Sequence, residues 1–260
     1  MVVAEFGRYR TGNILLLKNT APRGQRPRFE PEILDSRTGS IHVPVCDLNG
    51  DGRPDFIALL SNEHECIEAF LNQGNGTFHR HALWRAPDLT YGSTGIQLVD
   101  LNGDGKLDIL YTNGDSFDNQ YLSPWHGVQW LENLGGGRFQ FHRLTEMPGA
   151  HVALAGDFDG NGLLDIVVFS CLAPNLGPAT VDTRSLASVV LLEQASPGRF
   201  LRHTLERGCP WHAALEVGDF DSDGRLDFVV GHNMLGGLQP QVERQTWGTL
   251  WRNRGKGPDK

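Results

Sequence analysis

The sequence predicts an all-β fold, a β-propeller built from four-stranded antiparallel blades. Three observations support this prediction: a nine-residue acidic motif that occurs four times, strand-like runs on both sides of each copy, and frequent glycine. The chain has 32 glycines and 14 prolines in 260 residues, of which 39% are hydrophobic. This composition is typical of many short strands joined by tight turns, and it argues against a helical bundle.

The acidic motif has Asp or Asn at positions 1, 3 and 5, Gly at position 6 and Asp at position 9. Its four copies, termed loops 1 to 4, are DLNGDGRPD from Asp47, DLNGDGKLD from Asp100, DFDGNGLLD from Asp157 and DFDSDGRLD from Asp219. Their first residues lie 53, 57 and 62 residues apart. A motif that recurs at such a period indicates a repeat architecture.

Oxygen-bearing side chains at alternate positions are suited to a hard cation. Ca²⁺ takes about 6 to 8 oxygen ligands, glycine at position 6 permits the sharp bend, and the carbonyl of position 7 supplies one more oxygen. We therefore predict about four structural calcium ions as the cofactors of this chain. The predicted ligands are Asp47, Asn49, Asp51, Arg53 and Asp55; Asp100, Asn102, Asp104, Lys106 and Asp108; Asp157, Asp159, Asn161, Leu163 and Asp165; and Asp219, Asp221, Asp223, Arg225 and Asp227.

The residues around the motif distinguish it from an EF-hand, which needs a bidentate Glu at position 12 between two helices. Position 12 is Ala58, Tyr111, Val168 or Val230. The runs that follow the motif, DFIALL, DILYT, DIVVF and DFVVG, are rich in the β-branched and aromatic residues that favour strands. Each acidic loop is therefore predicted to be the turn of a β-hairpin.

The acidity of the chain is concentrated in these loops. They contain 13 of the 31 Asp and Glu residues, and the formal net charge is -8, so four divalent cations would neutralise the chain. A negative chain is a poor partner for a phosphate backbone, which argues against nucleic-acid binding. No apolar run approaches the roughly 20 residues of a membrane helix, so we predict no membrane insertion.

Two further strands are predicted after each hairpin. The third strand is CIEAFLN, VQWLEN or SVVLLEQ, and a glycine turn then precedes Phe78, Phe139 or Phe200 at the start of the fourth. Four-stranded units arranged radially make a propeller. We predict one domain with units at 1–38, 39–88, 89–148, 149–208 and 209–260, of which the first and last are incomplete.

The four loops and the N-x-G-x-G-x-F turn resemble the FG-GAP-like or VCBS repeats, which are integrin-like repeats with calcium loops. The resemblance covers nearly the whole chain and implies a calcium-binding propeller. It implies no particular activity, because such blades occur in adhesins, lectins, lyases and secreted bacterial proteins. Asn161 at position 5 and Ser222 at position 4 depart from the pattern, and we expect loop 3 to bind calcium most weakly.

Both ends of the chain resemble interrupted blades. VVAEFG at the start matches the run that follows an acidic loop, and TLWRNRGKG stops where a fourth strand would begin. We expect a fragment of a longer secreted bacterial protein with further blades, and a small five-bladed ring is the alternative. The predicted location is secreted, periplasmic or at the cell surface, with a signal peptide on the parent chain.

A ligand is expected on the face opposite the acidic loops, because long connections on rigid strands commonly carry function. These connections cover 115–127, 172–187 and 233–247. The candidate ligand contacts on this face are Glu63, His64, Asp115, Tyr121, Trp125, Trp211 and His232.

Histidines are the candidate chemical groups on the same face. His42, His151 and His212 each precede an acidic loop by a few residues, and His126 lies in a nearby connection. Such residues could act as acid–base groups or bind a transition metal. We favour a structural role, in which these histidines bond the backbone or line a wet channel.

The predicted function is a calcium-stabilised extracellular scaffold, not an enzyme, that binds an unidentified protein or glycan. One alternative is a polysaccharide lyase or hydrolase that uses the four candidate histidines. Another is a lectin-like glycan binder that uses Trp125 or Trp211. Cys171 and Cys209 flank the same face, and whether they pair in an oxidising compartment stays open.

Overall fold

The structure is a computed structural model that describes residues 1–8, 11–177, 181–209, 211–232 and 247–255. The chain divides into two compact units. Unit 1 comprises Met1–Ser93 and Leu134–Phe139, and unit 2 comprises Thr94–Asn133 and Gln140–Lys260.

The strands of the described residues form five antiparallel sheets. Sheet 1 contains β1 (Val2–Arg8), β2 (Thr11–Asn19) and β3 (Phe29–Asp35). Sheet 2 contains β4 (Ser40–His42), β5 (Val45–Cys46), β6 (Asp55–Leu60), β7 (Cys66–Asn72) and β8 (Phe78–Arg85). Sheet 3 contains β9 (Ser93–Val99), β10 (Asp108–Asn113), β11 (Gly127–Gly135) and β12 (Arg138–Glu146).

The remaining sheets belong to unit 2. Sheet 4 contains β13 (Ala150–Gly156), β14 (Asp165–Ser170), β15 (Ala187–Ser196) and β16 (Arg199–Arg207). Sheet 5 contains β17 (His212–Gly218), β18 (Asp227–His232) and β19 (Gly248–Trp251). A 3-10 turn, Thr183–Ser185, precedes β15.

Each sheet pairs strands in the order of the chain. β4 and β5 both pair with β6 and are two parts of one edge strand. The strand is interrupted beside Pro44, which has no N–H to donate to a ladder, although its carbonyl accepts from the N–H of Ile57 at 3.0 Å.

The strand that follows each of loops 1 to 3 is buried along its whole length. All six residues of β6, β10 and β14 are buried, as expected for strands covered on both faces. In β14, Ile166 and Val168 pack in a core with sheet 3, and Val167 and Phe169 pack in a core with sheet 5. The two-residue period of a strand therefore gives sheet 4 two apolar faces.

Unit 1 has its own core between its two sheets. Phe56, Ala58 and Leu60 of β6 are buried with Ile14 of β2, and Val2 packs against this cluster. Phe56 stacks on Phe70 with ring centroids 4.4 Å apart.

The predicted fold class is confirmed, because the structure is all-β with four-stranded antiparallel sheets of the kind that form propeller blades. Sheets 1 and 5 have three strands each among the described residues. In the part of the chain that the structure covers, no helix is long and apolar enough to cross a membrane.

Candidate functional site

The four acidic loops are hairpin turns of one common geometry. They join β5 to β6, β9 to β10, β13 to β14 and β17 to β18. In each loop, one oxygen of the position 1 carboxylate accepts the N–H of position 5, and its other oxygen accepts the N–H of glycine at position 6. These bonds are 3.1 and 2.8 Å for Asp47, 3.0 and 2.8 Å for Asp100, 3.1 and 3.0 Å for Asp157, and 3.1 and 2.9 Å for Asp219.

The aspartate at position 9 is buried in every loop. Asp108, for example, is 0% exposed, and its two oxygens accept the N–H of Leu101 at 3.2 Å and of Asn133 at 2.7 Å. The first bond closes the loop, and the second joins it to the third strand of the same sheet. Asp55, Asp165 and Asp227 make the same pair of bonds.

A side-chain amide completes this arrangement, and the sequence reasoning missed it. It belongs to the residue on or just after the third strand whose N–H donates to the position 9 aspartate. The NH₂ group of this side chain donates to the backbone carbonyl of position 8. Asn133 donates to Leu107 at 3.0 Å and Gln194 to Leu164 at 2.7 Å. Asn72 and Asn253 donate in the same way to Pro54 and Leu226. The signal is visible in the sequence, because the runs predicted as third strands, CIEAFLN, VQWLEN and SVVLLEQ, each finish in Asn or Gln.

Positions 5 and 7 form an ion pair wherever the sequence permits one. Arg53 binds Asp51 at 2.5 Å, Lys106 binds Asp104 at 2.5 Å, and Arg225 binds Asp223. Loop 3 has Asn161 and Leu163 at these positions, so it lacks both the acid and the base. The basic residue partly offsets the like charges of three loops.

The donor set of the loops fits a hard cation. One oxygen from each of Asp157, Asp159 and Asp165 lies within 4.8 Å of the others, and the corresponding aspartates of loop 4 are grouped in the same way. Burial raises the pKa of Asp108 and Asp165 above the usual range, despite their backbone hydrogen bonds. A divalent cation would favour the charged form of these carboxylates. The predicted calcium ligation itself stays a prediction.

A cavity of about 520 Å³ lies between loops 3 and 4 in unit 2. Its lining combines loop carboxylates such as Asp157 and Asp159 with the side chains of Leu191, Phe228 and Trp251. The acidic-loop end of unit 2 therefore also has a concave surface, whereas the sequence reasoning looked for ligand contacts at the opposite end only.

The candidate residues of unit 1 lie at or just beyond the ends of strands. His42 ends β4 and is half-buried, Glu63 is exposed, and His64 is half-buried in the turn between β6 and β7. Burial and the nearby Arg37 lower the pKa of His64 below its usual range. The imidazole of His64 is therefore neutral at pH 7.

Unit 2 presents exposed aromatic side chains in the connection between β10 and β11. Phe117, Tyr121 and Trp125 are 39%, 61% and 43% exposed. Tyr121 and Trp125 were predicted as ligand contacts, whereas Phe117 was missed. The half-buried Asp115 starts the connection by accepting the N–H of Phe117 at 2.9 Å, and burial raises the pKa of its carboxyl group.

This connection is held to the one that follows β14. The N–H of Gly177 donates to the carbonyl of Gln120 at 2.7 Å, and the N–H of Ala173 donates to Ser116 Oγ at 3.0 Å. The Asn113 amide donates to the carbonyl of Trp125 at 2.8 Å. The exposed aromatics therefore sit on an anchored segment. The third predicted connection, at 233–247, lies outside the described residues apart from Trp247.

Two of the four candidate catalytic histidines are buried. His126 is 1% exposed, and burial lowers its pKa to about 4, so the ring is neutral at pH 7. His212 is also 1% exposed. These two rings therefore do not present an acid–base group to solvent.

The structure brings three of the unit 2 histidines into one region. His151 and His212 each lie 6.0 Å from Phe169, and His212 lies 5.1 Å from His232, measured between ring centroids. Trp211 is half-buried beside His212, and its backbone forms an isolated antiparallel β-bridge with that of Cys171. Neither Cys171 nor Cys209 forms a disulfide in the structure, and burial raises the pKa of Cys209 to about 12.

The repeat geometry agrees with a comparison to known protein families. The family model of the FG-GAP-like repeat matches residues 47–111, which span loops 1 and 2 and the strands between them. The chain carries an FG-GAP-like repeat. The resemblance predicted from the acidic loops is thereby confirmed.

Relatives of the chain include proteins from several eukaryotes. It is 31% identical to cartilage acidic protein 1 of the mouse over 67% of this chain and 26% of that protein. It is 31% identical to integrin alpha-PS3 of Drosophila melanogaster over 62% of this chain and 17% of that protein. It is 28% identical to the T-cell immunomodulatory protein homolog of Plasmodium falciparum over 51% of this chain and 20% of that protein. The chain thus matches about a quarter or less of the length of these relatives.

Proposed function

We propose that this FG-GAP-like repeat chain is a calcium-stabilised extracellular scaffold that binds a protein ligand through the connection between β10 and β11. The observation that supports the binding surface is the exposure of Phe117, Tyr121 and Trp125 on an anchored segment. Aromatic side chains are enriched at protein interfaces, because they bury much area and lose little conformational entropy. A rigid segment also lowers the entropy cost of binding.

The relatives support the class of partner and the location. FG-GAP-like repeat proteins bind protein ligands, and relatives of the chain are extracellular or cell-surface proteins. The match to integrin alpha-PS3 supports a protein ligand of this kind. An extracellular location suits the loops, because extracellular modules bind calcium at about 10⁻⁴–10⁻³ M.

Binding is tested with a solubilised extracellular-matrix extract on a sensor surface, either native or treated with trypsin. The chain should bind the native extract only, and the Tyr121→Ala, Trp125→Ala double variant should bind at least about tenfold more weakly, a loss of about 1.4 kcal/mol. Phe141→Ala, which removes another exposed aromatic, is the matched control. Unaltered binding by the double variant would contradict the proposed surface.

The same experiment distinguishes the glycan alternative. Binding that survives trypsin and is lost after glycosidase treatment would assign the aromatic segment to a lectin-like role. The released glycan would then quench the fluorescence of Trp125, since stacking on a sugar changes the environment of its indole ring.

The calcium part of the proposal is tested by thermal unfolding with excess Ca²⁺ or with EGTA. Each site saturated at 100 times its Kd contributes about 2.7 kcal/mol, which shifts Tm by several degrees in a chain of this size. EGTA should therefore lower Tm strongly. Asp104→Ala should remove part of the calcium shift, whereas Asp88→Ala, an exposed turn aspartate outside the loops, should keep all of it. Equal Tm values in Ca²⁺ and EGTA would refute the calcium role.

A further inference from the structure

A cluster of sulfur and nitrogen ligands lies in unit 2, away from the acidic loops. Cys209 lies in the connection from β16 to β17, His212 begins β17, and His232 ends β18. One ligand atom from each of these residues lies within 4.8 Å of the other two. His212 and His232 are register partners in sheet 5, so the backbone pairing itself fixes their separation.

The ring of His212 is held in one orientation by a carboxylate. Its Nε2 bonds Glu206 Oε2 at 2.6 Å, and Glu206 lies on the neighbouring strand β16. Its Nδ1 is buried and has no hydrogen-bond partner among the described residues. Leaving a buried polar atom unpaired costs about 1–3 kcal/mol, so an unpaired Nδ1 at 1% exposure needs an explanation.

The hydrogen bond of Nε2 assigns the tautomer. A neutral imidazole that donates its Nε2–H to a carboxylate has a free lone pair on Nδ1. This is the arrangement of metal-ligating histidines, whose second nitrogen almost always donates to a carboxylate or a carbonyl. Cys209 is also fixed, because its N–H donates to Ser188 Oγ at 3.2 Å.

We propose that Cys209, His212 and His232 bind one Zn²⁺ ion, with water at the fourth position. One thiolate and two imidazoles are borderline-soft ligands that suit zinc and not calcium, which takes oxygen ligands. The three ligand atoms now lie within 4.8 Å of one another. They would move slightly closer together to form zinc–sulfur and zinc–nitrogen bonds of about 2.0–2.3 Å. When the ion binds, the Cys209 thiol loses its proton to solvent.

The neighbouring sheet provides a matched comparison. His203 of β16 also bonds a carboxylate, Glu193 Oε2 at 2.8 Å, but it belongs to no metal-ligand group among the described residues. A histidine–carboxylate pair alone is therefore not the site. The thiol and the second imidazole distinguish the His212 cluster.

The test uses the full chain, freed of metal with EDTA and then returned to excess Ca²⁺ so that the oxygen sites are saturated. Titration with Zn²⁺ should show one tight site per chain. Replacing Zn²⁺ by Co²⁺ should give the thiolate charge-transfer band and the intense visible bands of a tetrahedral site. A wild-type Co²⁺ spectrum without a thiolate band would overturn the proposal, whatever the stability of any variant.

Variants then assign the ligands. Cys209→Ser and His232→Ala should each weaken zinc binding at least about tenfold and remove or shift the Co²⁺ bands, while circular dichroism confirms the fold. Glu206→Gln, a change in a positioning residue, should weaken binding about 10–100-fold but keep the thiolate band. His203→Ala and Cys46→Ser are the controls and should bind as the wild type does. Equal zinc binding in all variants would place the ion elsewhere and overturn the proposal.

Discussion

At the scale of single residues, position 4 of the acidic loops has a left-handed backbone conformation that favours glycine. Gly50, Gly103 and Gly160 occupy it with φ near 74°, and Ser222 occupies it in loop 4 with φ of 61°. Residues with a Cβ pay a steric penalty in the left-handed region, and glycine does not. The departure of Ser222 from the repeat pattern is therefore a local cost of the fold.

Ser222→Gly should raise the free energy of unfolding by up to about 1 kcal/mol, because relief of strain exceeds the added flexibility of the unfolded chain. Urea unfolding in EGTA measures this change without the contribution of calcium. The reciprocal Gly103→Ser should lower stability by a similar amount, since nothing lies within 4 Å of a Cβ at that position to cause a further clash. A destabilising Ser222→Gly would show that the serine side chain has a compensating contact.

At the scale of elements, each hairpin is closed by a buried carboxylate and a side-chain amide. In sheet 3, Asp108 joins the loop to Asn133 on β11, and the Asn133 amide returns a bond to the carbonyl of Leu107. These bonds are made within the chain itself and help to hold loop 2 in its shape. A chelated chain is therefore expected to keep its hairpins but to lose stability.

Asp108→Ala should lower the free energy of unfolding by about 3 kcal/mol in EGTA, because two buried N–H groups lose their carboxylate acceptor, and by more in Ca²⁺, because a predicted calcium ligand is lost as well. Asp104→Ala is the matched variant in the same loop, with an exposed side chain that only pairs with Lys106. It should change Tm little in EGTA and more in Ca²⁺. Similar effects of the two variants in EGTA would contradict the structural role of position 9.

A second element-scale feature joins the two sheets of unit 1. Arg37 binds Asp35 of β3 at 2.7 Å and Glu68 of β7 at 2.5 Å, and both carboxylates are buried. Burial alone would raise the pKa of Asp35, but the bonds to Arg37 and Arg80 outweigh it and lower the pKa to about 2. The same cations lower the pKa of Glu68.

This cluster predicts acid sensitivity of unit 1. A carboxyl group whose pKa is depressed in the folded state stabilises the fold at pH values above its pKa in the unfolded chain. This stabilisation is lost as the pH falls from about 4 to about 2. Arg37→Met should lower the free energy of unfolding by about 3 kcal/mol at neutral pH, since Asp35 and Glu68 lose a shared cation and keep only the more exposed Arg80 and Arg85. It should also reduce this part of the pH dependence, as measured by urea unfolding over that range. Arg28→Met, at an exposed pair, should change neither quantity.

At the scale of the whole molecule, the sequence carries a formal net charge of -8, and 13 of its 31 acids lie in the four loops. Repulsion among these carboxylates opposes folding unless counter-ions are present. Salt weakens the repulsion between exposed charges, over a screening length of about 10 Å at an ionic strength of about 0.1 M. Added KCl should therefore raise Tm in EGTA and raise it much less in saturating Ca²⁺. An equal salt response in the two conditions would indicate that the loops contribute no net repulsion.

The sequence by itself determined the class of fold and the place of the loops. The acidic motif recurs with flanking strand-like runs, and local rules of turn chemistry and alternation are sufficient to assign hairpins to such runs. The length of the connection at 115–127 identified Tyr121 and Trp125 as candidate contacts. The local rules also indicated the strands β6, β10 and β14 as continuous apolar runs.

Only the tertiary structure decided which residues meet across strands. The role of Asn133, the ion cluster of Arg37 and the grouping of Cys209, His212 and His232 depend on contacts between segments that lie far apart in the sequence. Only the tertiary structure likewise showed that the rings of His126 and His212 are buried, because exposure depends on which elements cover a residue. Spacing in the chain carries information about local geometry, whereas such convergence is set by the packing of sheets.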